Sequence, residues 1–169
     1  MVAIVIVDEY WGIGYNGDLL FTIPEDMKFF KEFTMNKVVV MGHSTFKSLP
    51  GGKPLKGRIN IVLSRKKGLS LESAIICDSI EQLLDTVNVY NPDDVIVIGG
   101  QEIYSQLLDY CNAIYLTKVK ADKKADKHFP SIDSLENWAI GSKSDEKEYG
   151  GLKYTFYKYI NTNMAKTDT

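Results

Sequence analysis

The sequence predicts an α/β fold: one domain on a mostly parallel central sheet of about eight strands, with an antiparallel C-terminal edge hairpin and about four flanking helices. Three observations predict it. Short Val/Ile-rich runs recur at 2–7 (VAIVIV), 37–42 (KVVVMG), 58–64 (RINIVLS), 74–77 (AIIC), 94–100 (DVIVIGG) and 113–119 (AIYLTKV). Uninterrupted apolar runs suit strands covered on both faces, the habit of parallel sheets. Helical patterns follow the first, second, fourth and fifth runs, at 24–34, 44–49, 79–88 and 101–109, which is the alternation of βα units. The end of the chain differs, because NWAIGSKSDE and LKYTFYKYI alternate apolar and polar residues around EYGG, a hairpin signature.

The chain has 169 residues, the size of one compact domain. Residues 1–160 form the expected domain, and the polar, aperiodic NTNMAKTDT at 161–169 is expected to be a frayed tail. Twenty basic against 22 acidic side chains leave a formal charge of −2, a balance that argues against nucleic acid or a membrane as partner. The opening MVAIVIV is too short for a signal peptide or a span and runs straight into Asp8 and Glu9, so a cytoplasmic protein is expected. Cys77 and Cys111 lack metal-ligand spacing and sit in apolar, strand-like stretches. They read as buried thiols, and no metal site is expected. No strong apolar stripe asks for a partner, so a monomer is the expectation.

GIGYNG, residues 12–17, satisfies G-x-G-x-x-G and follows a strand. That fingerprint binds a dinucleotide only where the glycines open a helix directly and an acid follows about 20 residues on. Here DLLFTI intervenes, and the next strand, VVVMGH, carries no acid. Residues 8–23 instead read as a long loop without regular structure, packed as a lid over one end of the sheet.

The segment FTIPEDMKFFKEFT, 21–34, opens a helix through Pro24 and places Glu25 and Asp26 together in its first turn. On a wheel at about 100° per residue with Asp26 at zero, Phe29, Phe33, Phe30, Thr34 and Met27 fall near −60°, −20°, +40°, +80° and +100°. Glu25, Lys28, Lys31 and Glu32 gather on the far side. Glu25 therefore suits the ordinary role of a solvent-facing acid that complements the helix dipole. Asp26 lies inside the apolar arc, where a carboxylate is costly unless something pairs with it, so it is the candidate functional acid.

Three strand ends carry groups suited to phosphate. VVVMGHST enters a helix through Gly42, Ser44 and Thr45; NIVLSRKK ends in Ser64, Arg65 and Lys66; VIVIGGQEIY ends in Gly99 and Gly100. Each alone fits a capped helix, a solvated charge run or a tight turn. Together they mark the C-terminal edge of a parallel sheet, where such folds bind ligands. A cofactor along that edge is expected, and Arg65 with Lys66 favours a 2′-phosphate over a bare ribose.

Taken in order, GIGYNGDLLFTIPEDMKFFKEFT, KVVVMGHSTFKSL, PLKGRINIVLSR, VIVIGGQEIY, IYLTKV and DKHFP make the chain, over about residues 2–160, resemble the dihydrofolate reductases. The resemblance implies that fold and an NADPH-dependent reduction of 7,8-dihydrofolate to 5,6,7,8-tetrahydrofolate, with hydride passing from NADPH to C6 and a proton to N5. It also implies service to one-carbon metabolism and thymidylate synthesis. Asp26 and its hydrogen-bonding partner Thr117 match the catalytic carboxylate and threonine, with Asp26 meeting the 2-amino group and N3 of the pterin. Ile4 and Ile98 match backbone carbonyls facing the pterin, beside Val5. Met27, Phe30, Leu49 and Leu55 match the pterin and aminobenzoyl walls. Arg58 matches the arginine that grips the glutamate α-carboxylate, and Lys53 lies near a second basic position. For NADPH, the resemblance implies contacts from Ile6, from Ile13, Gly14, Asp18 and Leu19 in the mobile loop, and from Gly42, His43, Ser44 and Thr45. Leu63, Ser64 and Arg65 continue the set, which Gly99, Gly100, Gln101, Glu102, Ile103 and Tyr104 complete.

The chain departs from the family pattern at several points. Leu19, Leu20 and Phe21 stand where Leu-Pro-Trp is usual, His43 where a basic residue is frequent, Glu102 where some relatives have Arg, and Ile6 where a small residue is common. LPGGKPL adds length near the aminobenzoyl site. Two other readings stand beside the reductase. One is a pyrimidine reductase of riboflavin synthesis, which does not use an acid at the Asp26 position. The other is a catalytically idle nucleotide-binding module derived from a reductase.

Overall fold

The computed structural model describes residues 1–164. The large sheet contains β1 (Val2–Val7), β4 (Val38–Gly42), β5 (Ile59–Leu63), β6 (Ala74–Cys77), β7 (Val95–Gly99), β8 (Ala113–Val119), β10 (Trp138–Lys143), β11 (Lys147–Tyr149) and β12 (Leu152–Asn161). Its order is β10-β12-β8-β1-β7-β4-β5-β6, with β11 also paired to β12. The pairs from β8 to β6 are parallel, and those made by β12 are antiparallel. This is the mixed sheet expected. The helices are α1 (Pro24–Thr34), α2 (His43–Ser48), α3 (Ile80–Val87) and α4 (Gln101–Leu107), each within about two residues of its expected span.

Strand alternation sorts the core into two faces. Ala3, Val5 and Val7 of β1 join Leu83 and Val87 of α3 and Ile103, Tyr104 and Leu107 of α4 in the main cluster. Val2 and Ile4 turn the other way, toward Phe29, Phe30 and Phe33 of α1. The α1 wheel is thus reproduced in space, with its phenylalanines against the sheet. Both cysteines are free and buried.

Two expectations are corrected. The loop at 8–23 has regular structure: β2 (Gly12–Tyr15) and β3 (Asp18–Leu19) form a hairpin, and β2 also pairs with β9 (Lys127–His128) in a separate three-stranded sheet. Its short strands lack the apolar alternation that marks a half-buried strand, so pattern alone missed it. The tail is not frayed at residues 161–164. Asn161 ends β12, its amide donates to Asn112 O and its side chain to Cys111 O, and Thr162 N donates to Asn137 O. The remainder of that tail, 165–169, lies outside the described residues.

The hairpin is anchored at its root by Asp8, only 1% exposed. Oδ1 accepts from the amides of Tyr10 at 2.9 Å and Gly12 at 2.8 Å, and Oδ2 from that of Lys123 at 3.3 Å. One carboxylate thus joins both segments of the small sheet to the end of β1. Removing it leaves buried donors unpaired, which costs about 1–3 kcal/mol. Asp8→Ala is expected to lose that much stability in chemical denaturation; an unchanged midpoint with an unchanged slope contradicts this role.

Candidate active site

The first turn of α1 is set by Pro24 at its start, while Ile23 in the capping position offers no side-chain hydrogen bond. Asp26 is therefore presented by the helix itself. Its Oδ1 accepts a 2.6 Å hydrogen bond from the hydroxyl of Thr117, which is 3% exposed on β8. Parallel pairing sets Thr117 opposite Ile6 of β1. Burial raises the pKa of Asp26 above the usual aspartate value, the Thr117 bond opposes that rise, and the charge on Glu25 adds to it. Among the described residues no cation forms an ion pair with Asp26. A half-buried acid with one donor and spare lone pairs can receive N–H groups from a ligand.

A cleft wall runs from this acid along α1. Phe30 packs against the sheet with Ile98, and Leu49 and Leu55 pack beside Phe46 and the same Ile98. At the far end, Arg58 donates to Thr34 Oγ1 at 3.1 Å and to Lys56 O at 2.9 Å. Thr34 and Asp26 are separated by about 12 Å along the helix, at roughly 1.5 Å per residue. A fixed cation and a half-buried acid thus stand at opposite ends of an apolar wall. Met27 is 55% exposed and Lys53 is also exposed. The carbonyl of Ile4 accepts a 2.7 Å bond from the Tyr104 hydroxyl. The side chain of Val5 points into the opposite core cluster, so Val5 can meet a ligand on the α1 face only through its backbone.

On the other side of the centre, β7, β4 and β5 are neighbours, so the three phosphate-suited strand ends lie along one edge. A Cβ on Gly42 would come within 3.0 Å of Ile103, and one on Gly100 within 3.3 Å of Thr45 Oγ1. Gly99 has φ +132 and joins Gly100 through a cis peptide. Glycine is required at these positions by close packing against α2 and α4, and it leaves the ends of β4 and β7 without side chains. Next to them, after Leu63, lies a depression of about 620 Å³ lined by Ser64, Arg65, Lys66, Lys67, Asp78 and Gln82 among others. Partial burial, then the charges of Lys47 and Lys66, lower the pKa of His43, so the cationic field reaches from this depression to α2. Bare glycines beside clustered cations fit a phosphorylated dinucleotide such as NADPH. Ser44 and Glu102 are exposed on the first turns of α2 and α4.

The other expected contacts are placed as follows. Ile13 belongs to the main core and Gly14 is buried. Asp18 and Leu19 are exposed, Leu19 at 73%. Tyr104 turns inward to Ile4, and Gln101 Oε1 accepts from the amide of His128 at 2.7 Å, tying α4 to β9. Glu25 is exposed in the first turn, as expected, but it also has partners the wheel does not show. Its Oε2 accepts from the Tyr154 hydroxyl at 2.5 Å, and its Oε1 pairs with Lys147 at 2.9 Å. The wheel missed this because the partners belong to strands more than a hundred residues away.

Sequence and structure comparisons agree with this geometry. The family model described as "Dihydrofolate reductase" matches residues 1–161. The chain is 31% identical over 159 residues to the dihydrofolate reductase of Bacillus subtilis (strain 168), covering 91% of this chain and 90% of the relative. It is 34% identical over 149 residues to that of Neisseria gonorrhoeae, covering 88% and 90%. A solved structure of dihydrofolate reductase from Enterococcus faecalis complexed with NADP(H) and RAB-propyl superposes with TM-score 0.84 at 29% identity, covering 94% of each chain. With the family model spanning the whole large sheet and the site, the chain belongs to the dihydrofolate reductase family.

Proposed function

We propose that the protein reduces 7,8-dihydrofolate to 5,6,7,8-tetrahydrofolate with NADPH. The observation that carries it is the pairing of Asp26 with Thr117 at the head of an apolar wall that ends at Arg58. A pterin can give its 2-amino group and N3 to the carboxylate while its glutamate α-carboxylate reaches the guanidinium. The aminobenzoyl ring spans the wall of Phe30, Leu49 and Leu55.

NADPH supplies the hydride when bound. The protein's part is alignment and field. Asp26, anionic in a buried setting, holds the pterin flat and favours positive charge at N5. Thr117 keeps the Asp26 carboxyl in one orientation by donating to Oδ1. Ile4 and Ile98 supply backbone carbonyls on the sheet side. Gly42, Gly99 and Gly100 let the nicotinamide and phosphates approach the strand ends, and Arg65 with Ser64 and Lys66 receives the 2′-phosphate. The β2–β3 hairpin covers the nicotinamide and admits the water that protonates N5.

The acid at position 26 separates this reading from a pyrimidine reductase, and the joint presence of Asp26, Thr117 and Arg58 separates it from an idle module. A monomer is supported by the scatter of exposed large apolar residues such as Val89, Ile140 and Tyr149 over separate elements. A cytoplasmic setting is supported by two buried cysteines left free. No helix among the described residues is long and apolar enough to cross a membrane.

Loss of NADPH absorbance on mixing with dihydrofolate, blocked by an antifolate, tests the activity. Asp26→Asn is expected to lower kcat/KM at pH 7 by about 10²- to 10⁴-fold, with partial recovery in acid where substrate arrives protonated. Unchanged turnover at pH 7 refutes the role. The same variant reports on stability. Burial raises the folded pKa of Asp26 above its unfolded value of about 3.9. The cost of the charged form is therefore full above the folded pKa and absent below the unfolded one. Asp26→Asn should raise the thermal midpoint at pH 7 and give no gain near pH 3. Arg65→Ala should raise the KM for NADPH by about 10- to 100-fold and leave that for NADH nearly unchanged. Equal weakening of both cofactors contradicts a phosphate-reading Arg65.

A further inference from the structure

Two consecutive acids open α1, and each is held by a different strand. Asp26 is held by Thr117 of β8, and Glu25 by Tyr154 of β12 with Lys147 of β11. The register makes this possible, because Phe156 lies opposite Thr117, Tyr154 opposite Val119 and Lys147 opposite Tyr154. Residues directly opposite, or two apart on one strand, share a face. Thr117, Tyr154 and Lys147 therefore stand side by side beneath the first turn of α1.

Tyr154 is 3% exposed, and a phenol so placed needs a partner for its hydroxyl. It spends that hydroxyl on Glu25 rather than on a backbone carbonyl. The bond is charge-assisted and correspondingly strong, whereas the half-exposed pair with Lys147 adds little by itself. Ile23 provides no capping side chain, and the two acids tie the first turn to β8 and β12 through side-chain bonds instead.

We propose that Glu25, Tyr154 and Lys147 form a positioning set that fixes the first turn of α1, and with it the orientation and charge setting of the Asp26 carboxylate. This rests on the reductase reading for what Asp26 meets, but the contact itself is independent of it. The Glu25 bond pushes the Tyr154 hydroxyl up to about 12. Tyr154, then Lys147, hold the Glu25 carboxyl below the usual glutamate range. The pair therefore keeps one protonation pattern, neutral phenol on carboxylate, across the neutral range. Asp26 is faced by Thr117 from β8, Tyr154 from β12, the buried Tyr104 from α4 and Glu25 from its own helix. Lys147 acts on it through Glu25.

The test compares wild type with Tyr154→Phe, Glu25→Ala, Glu25→Gln and the double variant Tyr154→Phe/Glu25→Ala. Each of Tyr154→Phe and Glu25→Ala should raise the KM for dihydrofolate about 3- to 10-fold, with the KM for NADPH unchanged, and the double variant should be no worse than either, as a shared contact requires. Glu25→Gln, which keeps an acceptor for Tyr154, should recover most of that loss. Independently of turnover, the Asp26 carboxyl carbon of the ligand-free protein, followed by NMR, should titrate with a lower midpoint in Glu25→Gln, because a neighbouring negative charge is gone. Additive losses, an equal rise in both KM values, or an unmoved Asp26 midpoint overturns the proposal. Should Tyr154→Phe fail to fold, the two Glu25 substitutions, at an exposed residue, carry the same decision. If wild type itself does not oxidise NADPH with dihydrofolate, the reductase reading fails, and the Asp26 titration in Tyr154→Phe, which keeps the Glu25 charge and loses the clamp, decides the positioning set: a midpoint equal to that of wild type overturns it.

Discussion

β1 lies between β8 and β7, and the two halves of the site are built outward from its two edges. Its register with β8 puts Ile6 beside Thr117 and so locates the Asp26 bond. Its pairing with β7 carries the sheet on to β4 and β5, whose ends bear the glycines and cations. Because a slip of one residue sends every side chain to the other face, the strand cannot move without inverting both halves at once. The buried bond from Tyr104 to Ile4 O, made from the cofactor side to the middle of β1, pins that register further.

The electrostatics of the two halves are opposite in kind. On the β8 side, negative groups are buried or clamped, each with a named donor: Thr117 for Asp26, Tyr154 and Lys147 for Glu25. On the β5 side, Arg65, Lys66 and Lys67 are exposed and unshielded by acids at ion-pair distance among the described residues. A half-buried carboxylate serves discrimination, since it rewards a ligand that brings its own N–H groups. Exposed cations draw a highly charged ligand from solution but discriminate through geometry alone.

The parallel sheet was legible because Val/Ile runs are written continuously along the chain, and Asp26 because a helix puts residues three and four apart on one face. Both signals are local. What stayed hidden depends on pairing across distance. The β2–β9 ladder joins Gly12 to His128, and the Glu25 clamp draws on Tyr154; no periodicity within either segment announces the other. Val5 and Tyr104 show a subtler gap. A matched position names the residue, while only the face it occupies tells whether side chain or backbone meets the ligand. The end of β12 is similar: Asn161 reads as polar and loose, yet its backbone and side-chain amides donate to the carbonyls of Asn112 and Cys111 just before β8.

The small sheet shares no strand with the large one. Its hairpin is joined to the body at Asp8, at the Gln101 link to His128 and by Trp11 and Ile13 in the main core, and to the segment before β9 where Lys123 Nζ donates to Leu20 O at 2.9 Å. Its backbone pairing is separate from every hydrogen bond of the main sheet, while Trp11 and Ile13 hold its root to the main core. The division makes the turn at Asn16 and Gly17 a natural attachment point for a reporter group, one that would register opening and closing while leaving the rigid floor of the pocket untouched.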